Sequence, residues 1–161
     1  MKRLLAAILT ALALATPVAA QDPINITGGG GDPVNITADK FVVDEASNNA
    51  TFTGNVVVKR KTLTVWAPKV VVDYGDDGPS DIKSFIASGG VRIKTDEQDV
   101  TGDRAIYDPR TEKLRVTGNV MVVNASSTVG SGDMIVDLNT DKTVFTGGGS
   151  TGRVTGVFTP Q

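Results

Sequence analysis

The sequence predicts an all-β fold built from four copies of a two-strand unit of about 29 residues. A short apolar motif with an internal glycine recurs around Gly54, Gly89, Gly118 and Gly147, which are spaced 35, 29 and 29 residues apart. Around these glycines, apolar and polar residues alternate with a period of two, which is typical of β-strands. No segment after residue 20 shows convincing helical periodicity. A repeat of this length indicates stacked supersecondary units.

The glycine motif forms the first strand of each unit. Its copies span residues 50–59, 85–94, 114–123 and 143–148. In the first copy Phe52, Val56 and Val58 share one parity and polar residues occupy the other, so the two sets lie on opposite faces. Because glycine inside a strand is typical of a bulge or bend, we expect an irregularity at Gly54 and its equivalents.

A second motif ends in aspartate and forms the other strand of the unit. Its copies span residues 38–44, 67–73, 102–108 and 131–137. Turn-forming sequences follow Asp44, Asp108 and Asp137, which predicts hairpins at these places. Repeated carboxylates could indicate the paired acids of a glycoside hydrolase. Four equivalent copies at the ends of repeats, with Asp73 as the fourth, favour a turn-capping role instead.

Further segments complete the strand prediction but leave the architecture open. Leu63 and Val65 alternate with polar residues, residues 41–43 and 70–72 are continuously apolar, and residues 154–158 can form a last strand. Consecutive hairpins at even spacing suggest a sandwich, a jelly roll or a barrel. The apolar face is then either a closed core or the lining of a site for an apolar ligand.

The first residues indicate an exported protein. Lys2 and Arg3 precede an apolar run that is too short for a membrane span, and small residues follow up to Ala20. We therefore expect a signal peptide over residues 1–20, cleaved after Ala20, and export from the cytoplasm. After it we expect a flexible lead over residues 21–32 and one β-domain over residues 33–160.

The chain contains no cysteine. The domain must therefore be stabilised by burial of apolar side chains, without disulfides.

Composition argues against several classes of function. Without His and Cys the chain cannot form a Ser-His-Asp site, a Cys nucleophile or the usual zinc site, so we expect no enzyme, cofactor or metal. Residues 148–152 fit the G-x-S-x-G pattern but lack any base. The acidic residues between Asp73 and Asp81 could hold calcium, although a solvated turn is favoured. Beyond residue 20, 14 basic and 18 acidic residues give a net charge of −4, which argues against nucleic-acid binding.

One dense basic cluster, Lys59-Arg60-Lys61, lies at a predicted hairpin tip. Such a cluster is either a solvated turn or a contact for an anionic partner. The residues alone leave both interpretations open.

The repeated motifs resemble those of the OstA-like family. The resemblance rests on Ala38-Asp-Lys-x-x-x-Asp44, on Phe52-Thr-Gly-Asn-Val56 and on Val116-Thr-Gly-Asn-Val120, and it extends from about Pro33 to Pro160. It implies a twisted, V-shaped open β-jelly roll and a protein that carries lipopolysaccharide across the periplasm. Copies would join end to end through edge strands, with each other and with inner-membrane and outer-membrane lipopolysaccharide-transport proteins.

The resemblance also implies that the acyl chains of lipid A lie in an apolar groove along the inner face. Together with the alternation, it predicts these groove positions: Val34, Ile36, Phe52, Val56, Val58, Leu63, Val65, Phe85, Val91, Ile93, Ile106, Leu114, Val116, Val120, Val122 and Phe145. A charge at Val56 or Val120 is then expected to block lipid binding while folding survives. The alternative is a structural or adhesive β-repeat protein with a closed core.

Overall fold

The computed structural model describes residues 25–26, 33–148 and 152–159. The expected signal peptide with its cleavage after Ala20, and most of the expected lead over 21–32, lie outside these residues. No helix in the described part of the chain is long and apolar enough to cross a membrane.

Eleven strands of the described residues form one antiparallel sheet, which confirms the all-β prediction. They are β1 Asn25–Ile26, β2 Val34–Thr37, β3 Lys40–Asp44, β4 Asn49–Arg60, β5 Leu63–Gly75, β6 Gly78–Lys94, β7 Gln98–Asp108, β8 Lys113–Asn124, β9 Ser127–Asp137, β10 Lys142–Thr146 and β11 Thr155–Phe158. The long strands β4 to β9 each pair with their neighbour in sequence. They form the body of the sheet.

Short strands complete the sheet on both sides. On one side, β2 and β3 pair with different parts of β4, and β1 pairs with β2. On the other side, β10 and β11 pair with different parts of β9. The first and last strands of the described chain therefore lie at opposite edges of the sheet.

Glycine bulges interrupt the long strands where the sequence predicts them. The pairing register shifts between Thr53 and Val56 in β4, and equivalent shifts occur at Gly89 and Gly118. All three glycines have positive φ values, of 82°, 92° and 78°. Gly147 differs because it follows the last residue of β10. The count of four structural repeats therefore stays a prediction.

The two sequence motifs of the unit meet at these bulges. Asn55 follows the bulge glycine with a φ of 46°, and its Nδ2 donates to Asp39 Oδ2 at 2.8 Å. Asn119 repeats the arrangement, because its Nδ2 donates to Asp103 Oδ2 at 3.1 Å. A Cβ on Gly54 would lie 2.5 Å from Asp39 Oδ2, so the carboxylate occupies the space that glycine leaves free. This contact explains why an aspartate of the second motif, Asp39 or Asp103, accompanies each copy of Thr-Gly-Asn.

The sheet folds over on itself at the bulges. In the pairing register, Lys59 lies in the same row as Asp99, eight residues before Tyr107 on β7. Arg60 lies one residue farther from Tyr107 than Lys59 does, so in a flat sheet the two would lie about 30 Å apart along the strand direction. Arg60 Nη1 instead donates to Tyr107 Oη at 3.1 Å. The two halves of the long strands consequently face each other, and their inner faces enclose the core.

Aspartate side chains cap the predicted hairpin turns. Asp44 Oδ1 accepts from the Ser47 backbone N–H at 3.2 Å, and Asp108 Oδ1 accepts from that of Arg110 at 2.8 Å. Asp137 caps its turn in the same way. These contacts confirm the turn-capping prediction for three aspartates. Asp73 is the exception, since β5 continues beyond it to Gly75.

The expectation of a flexible lead is corrected at two residues. Asn25 and Ile26 form β1 and pair with Asn35 and Val34 of β2. Their sequence context, Pro-Ile-Asn-Ile-Thr at 23–27, nearly duplicates Pro-Val-Asn-Ile-Thr at 33–37. Because β2 itself forms a strand from this pattern, the first copy has the same strand-forming residues.

Candidate apolar ligand site

An apolar cavity of about 180 Å³ lies between the two facing halves of the sheet. Its wall consists of Val34, Val58, Arg60, Leu63, Val65, Val70, Phe85, Ala87, Ile93, Thr95, Gln98, Val100, Ala105, Tyr107, Leu114, Met134, Val136 and Leu138. Strand β2 and strands β4 to β9 contribute to this wall. Apolar side chains form most of it, which suits a ligand made of hydrocarbon.

The inner face has two regions that differ in packing. Near the bulges lies the packed bend, whose side chains are almost fully buried: Phe52, Val56, Val91, Val116 and Val120. Farther from the bulges lies the open mouth, whose side chains are half-buried and line the cavity: Val58, Leu63, Val65, Leu114 and Val136. The cavity wall is most exposed at the mouth, but the cavity also reaches buried side chains in the cross-strand row that contains Val116: Val70, Ala87, Ala105 and Met134.

The predicted groove residues divide between these environments. Seven of them line the cavity: Val34, Val58, Leu63, Val65, Phe85, Ile93 and Leu114. Seven others are buried in the core and do not line this cavity: Ile36, Phe52, Val56, Val91, Val116, Val120 and Val122. Phe145 is partly buried against the core and also lies outside the wall. Their parity is as expected, but parity does not distinguish cavity wall from packed core.

Burial also revises the expectation for a charge at the bend. Val56 and Val120 are 1% and 2% exposed. A carboxylate at either position would be buried without a partner, which costs several kcal/mol. We therefore expect such variants to unfold, and they are unsuitable as tests of lipid binding.

The predicted inner-face position of Ile106 is wrong. Ile106 lies between Ala105 and Tyr107, which both line the cavity, so its side chain points to the opposite face. Its cross-strand partners, Ile86 and Arg115, lie on that outer face with it. The continuous apolar sequence from Ala105 to Tyr107 conceals this facing, because apolar residues occupy both parities.

Sequence reasoning missed much of the wall. The wall residues that were not predicted as groove positions are Arg60, Val70, Ala87, Thr95, Gln98, Val100, Ala105, Tyr107, Met134, Val136 and Leu138. Alternation with Asp99 and Thr101 could have identified Val100, whereas Met134 and Val136 flank the apolar Ile135, so alternation does not reveal their facing. Arg60 is charged, so an alternation of apolar residues could not predict that its side chain lines the cavity.

Ion pairs support the outer face. Arg92 pairs with Asp99 and lies 5.6 Å from the ring centre of Trp66. The hydrogen bond from Arg92 lowers the pKa of the Asp99 carboxyl below its ordinary value. Arg115 Nε donates to Asp133 Oδ2 at 2.8 Å in the same manner. These contacts stabilise strand pairing on the side opposite the cavity.

The acidic loop carries polar contacts within the protein. Asp81 pairs with Arg110, and Asp76 Oδ1 accepts from Asn48 Nδ2 at 3.4 Å. Across the described ranges, no group of three or more acidic side chains is arranged to hold a metal ion.

Comparison with known proteins gives relatives along most of the chain. Lipopolysaccharide export system protein LptA of Escherichia coli K12 is 28% identical over an alignment of 141 positions, and the alignment covers 84% of this chain and 76% of that protein. An uncharacterized protein of Rhizobium meliloti strain 1021 is 28% identical over an alignment of 103 positions, and the alignment covers 60% of this chain. The match spans only 55% of that Rhizobium protein.

A solved structure has the same fold. It is LptH, described as the LptA-homologous periplasmic component of the lipopolysaccharide transport device of Pseudomonas aeruginosa. The TM-score is 0.69 at 15% identity, and the match covers 80% of this chain and 96% of that one. This likeness confirms the predicted open β-jelly roll.

The family described as LptA/(LptD N-terminal domain) LPS transport protein matches residues 35–142. The matched range holds both recurring motifs and most of the cavity wall. Since it amounts to about two thirds of the sequence, the chain belongs to the LptA/LptD N-terminal-domain family of lipopolysaccharide transport proteins.

Proposed function

We propose that this chain binds lipopolysaccharide by taking acyl chains of lipid A into the cavity, and carries it across the periplasm without catalysis. The observation that carries the proposal is the apolar cavity between the two halves of the sheet. A structural or adhesive protein with a closed core would not need such a space. Family membership supplies the choice of lipopolysaccharide among apolar ligands.

The energetics favour binding of an acyl chain at the open mouth. Burial of each CH₂ group stabilises a complex by ~0.8 kcal/mol, so even a few methylene groups give measurable affinity. The mouth is half-buried in the free protein, and its side chains therefore lose further water contact when a chain enters. Because several strands contribute similar side chains, a chain can move between sites of similar free energy.

Edge strands support end-to-end assembly as the second part of the proposal. Phe41 and Val43 on β3 are 40% and 48% exposed, and Val157 and Phe158 on β11 are 62% and 71% exposed. Backbone groups at sheet edges pair readily with another strand. The opposite edges of one chain can thus join copies in series, or join the inner-membrane and outer-membrane transport proteins.

Site-specific photo-cross-linking tests the lipid-binding part. A photoreactive residue at Leu114 in the mouth is expected to cross-link to lipid A, whereas one at Ile106 on the outer face is the matched control. Equal cross-linking at both positions, or none at either, would contradict the proposal.

Assembly is tested separately by the size of the purified protein at increasing concentration. We expect oligomers that dissociate when Val157 and Phe158 are replaced by lysine, because charged edges resist strand pairing. A variant with Val123→Lys, an exposed position inside the sheet, is the control. Unchanged oligomers in the β11 variant would contradict pairing through this edge.

A further inference from the structure

Arg60 is the one charged side chain in the cavity wall described by the structure. It lies at the end of β4 beside Leu63, its cross-strand partner in β5. Its Nη1 donates to Tyr107 Oη at 3.1 Å in a part-buried contact. The phenol is a neutral acceptor, and the described residues provide no carboxylate in ion-pair contact with this guanidinium.

The two basic neighbours of Arg60, Lys59 and Lys61, lie in different surroundings from Arg60. Alternation along β4 directs Lys59 to the outer face, where its cross-strand neighbour is Thr64. Lys61 lies in the turn with a φ of 51°. Only Arg60 of this cluster therefore belongs to the cavity wall. Arg60 is thus the member of the cluster whose position suits contact with an anion in the cavity.

The chemistry of the guanidinium defines the ligand group. It has five N–H donors and binds phosphate in bidentate geometry, whereas a phenol oxygen uses little of this capacity. A partly buried cation without a carboxylate gains more from an anion than a fully solvated cation does. Thr95 and Gln98 add neutral polar groups to the same wall.

We infer that Arg60 binds a phosphate group of the glycolipid whose acyl chains enter the mouth. This inference rests on the proposed lipid binding. Tyr107 accepts from Arg60 when the cavity is empty, and the phosphate replaces it when lipid is bound. The phosphate end is thereby fixed near the turn between β4 and β5, while hydrocarbon occupies the apolar wall.

Binding of phosphorylated and dephosphorylated lipid A to the full chain tests the inference. The unmodified protein is expected to prefer the phosphorylated form by about tenfold, which is the size of one charge-assisted hydrogen-bonding contact. Arg60→Met should bind both forms equally, because it keeps an unbranched apolar stem and removes the charge. Lys59→Met is the matched control and should keep the tenfold preference.

The outcomes separate this inference from the proposed function. If the unmodified protein binds neither form, the proposed lipid binding itself fails. If Arg60→Met keeps the preference, lipid binding stands and the role of Arg60 is overturned. If inorganic phosphate alone binds in an Arg60-dependent manner with equal affinity, the ligand is free phosphate and the lipid assignment is overturned.

A measurement on the unmodified protein avoids dependence on the folding of a variant. The side-chain NMR resonances of the Arg60 guanidinium are expected to shift when phosphorylated lipid A is added. Dephosphorylated lipid A should leave them near their original positions. Identical shifts with both lipids would overturn the inference.

Discussion

The packed bend and the open mouth are built from similar side chains but differ in what they can do. Val116 is 0% exposed in the bend, whereas Leu114, two residues earlier on the same strand and face, is half-buried and lines the cavity. The difference lies in distance from the glycine bulges, where the sheet folds and its two halves meet. Residue type therefore sets which face is apolar, and distance from the bulge accounts for the different burial of these two side chains on β8.

The largest effect that tests this comparison comes from a buried charge. Val116→Asp is expected to lower the free energy of unfolding by at least about 4 kcal/mol, because the carboxylate would be buried without a partner. Leu114→Asp should lower it by only about 1–2 kcal/mol, since the side chain can reach water at the mouth. Urea denaturation of both variants measures the difference. Equal destabilisation would show that the mouth is as closed as the bend.

A smaller effect is expected from filling the mouth without a charge. Leu114→Trp occupies part of the cavity and should weaken lipid A binding by about tenfold, which is ~1.4 kcal/mol. Ile106→Trp adds the same ring to the outer face and should leave affinity unchanged. Fluorescence titration with lipid A measures both. If only Ile106→Trp lost affinity, the ligand would bind at the outer face, which would contradict binding in the cavity.

The smallest expected effect concerns a turn remote from the bulges. Burial opposes ionisation of Asp108, but hydrogen bonds from Arg110 and Thr111 outweigh it and lower the pKa of this carboxyl. Because the folded-state pKa lies below the unfolded value, Asp108 stabilises the fold above about pH 4. This stabilisation is lost as pH falls through the folded-state pKa.

Asp108→Asn therefore tests whether turn chemistry is independent of the cavity. The variant should lose under about 1 kcal/mol at neutral pH and become less sensitive to acid. Thermal unfolding at several pH values, with Asp137→Asn for comparison, measures the change. An altered lipid affinity in Asp108→Asn would show that the turn and the mouth are coupled.

Much of the fold follows from sequence because backbone requirements leave local signals. These bulges contain a residue with positive φ, which glycine adopts most easily, so Gly54, Gly89 and Gly118 identify their places. A hairpin turn needs a capping acceptor, so Asp44 and Asp108 mark strand ends. The bulge glycines and the capping aspartates can both be recognised in the sequence, because each depends on only a few adjacent residues.

The site is less predictable because it depends on contacts between distant strands. Alternation gives the inner face, but it cannot distinguish Val116 in the core from Leu114 in the wall. It also fails at Ile106, whose neighbours on both sides are apolar. The contact of Arg60 with Tyr107 depends on how far the sheet folds over, and no local pattern encodes that distance.

Methyl NMR of the protein bound to lipid A tests the central claim most directly. We predict intermolecular contacts between acyl chains and the methyl groups of Leu63, Val65 and Leu114. We predict no such contacts with Val116 or Val120. Contacts confined to outer-face methyl groups, such as those of Ile106, would contradict it.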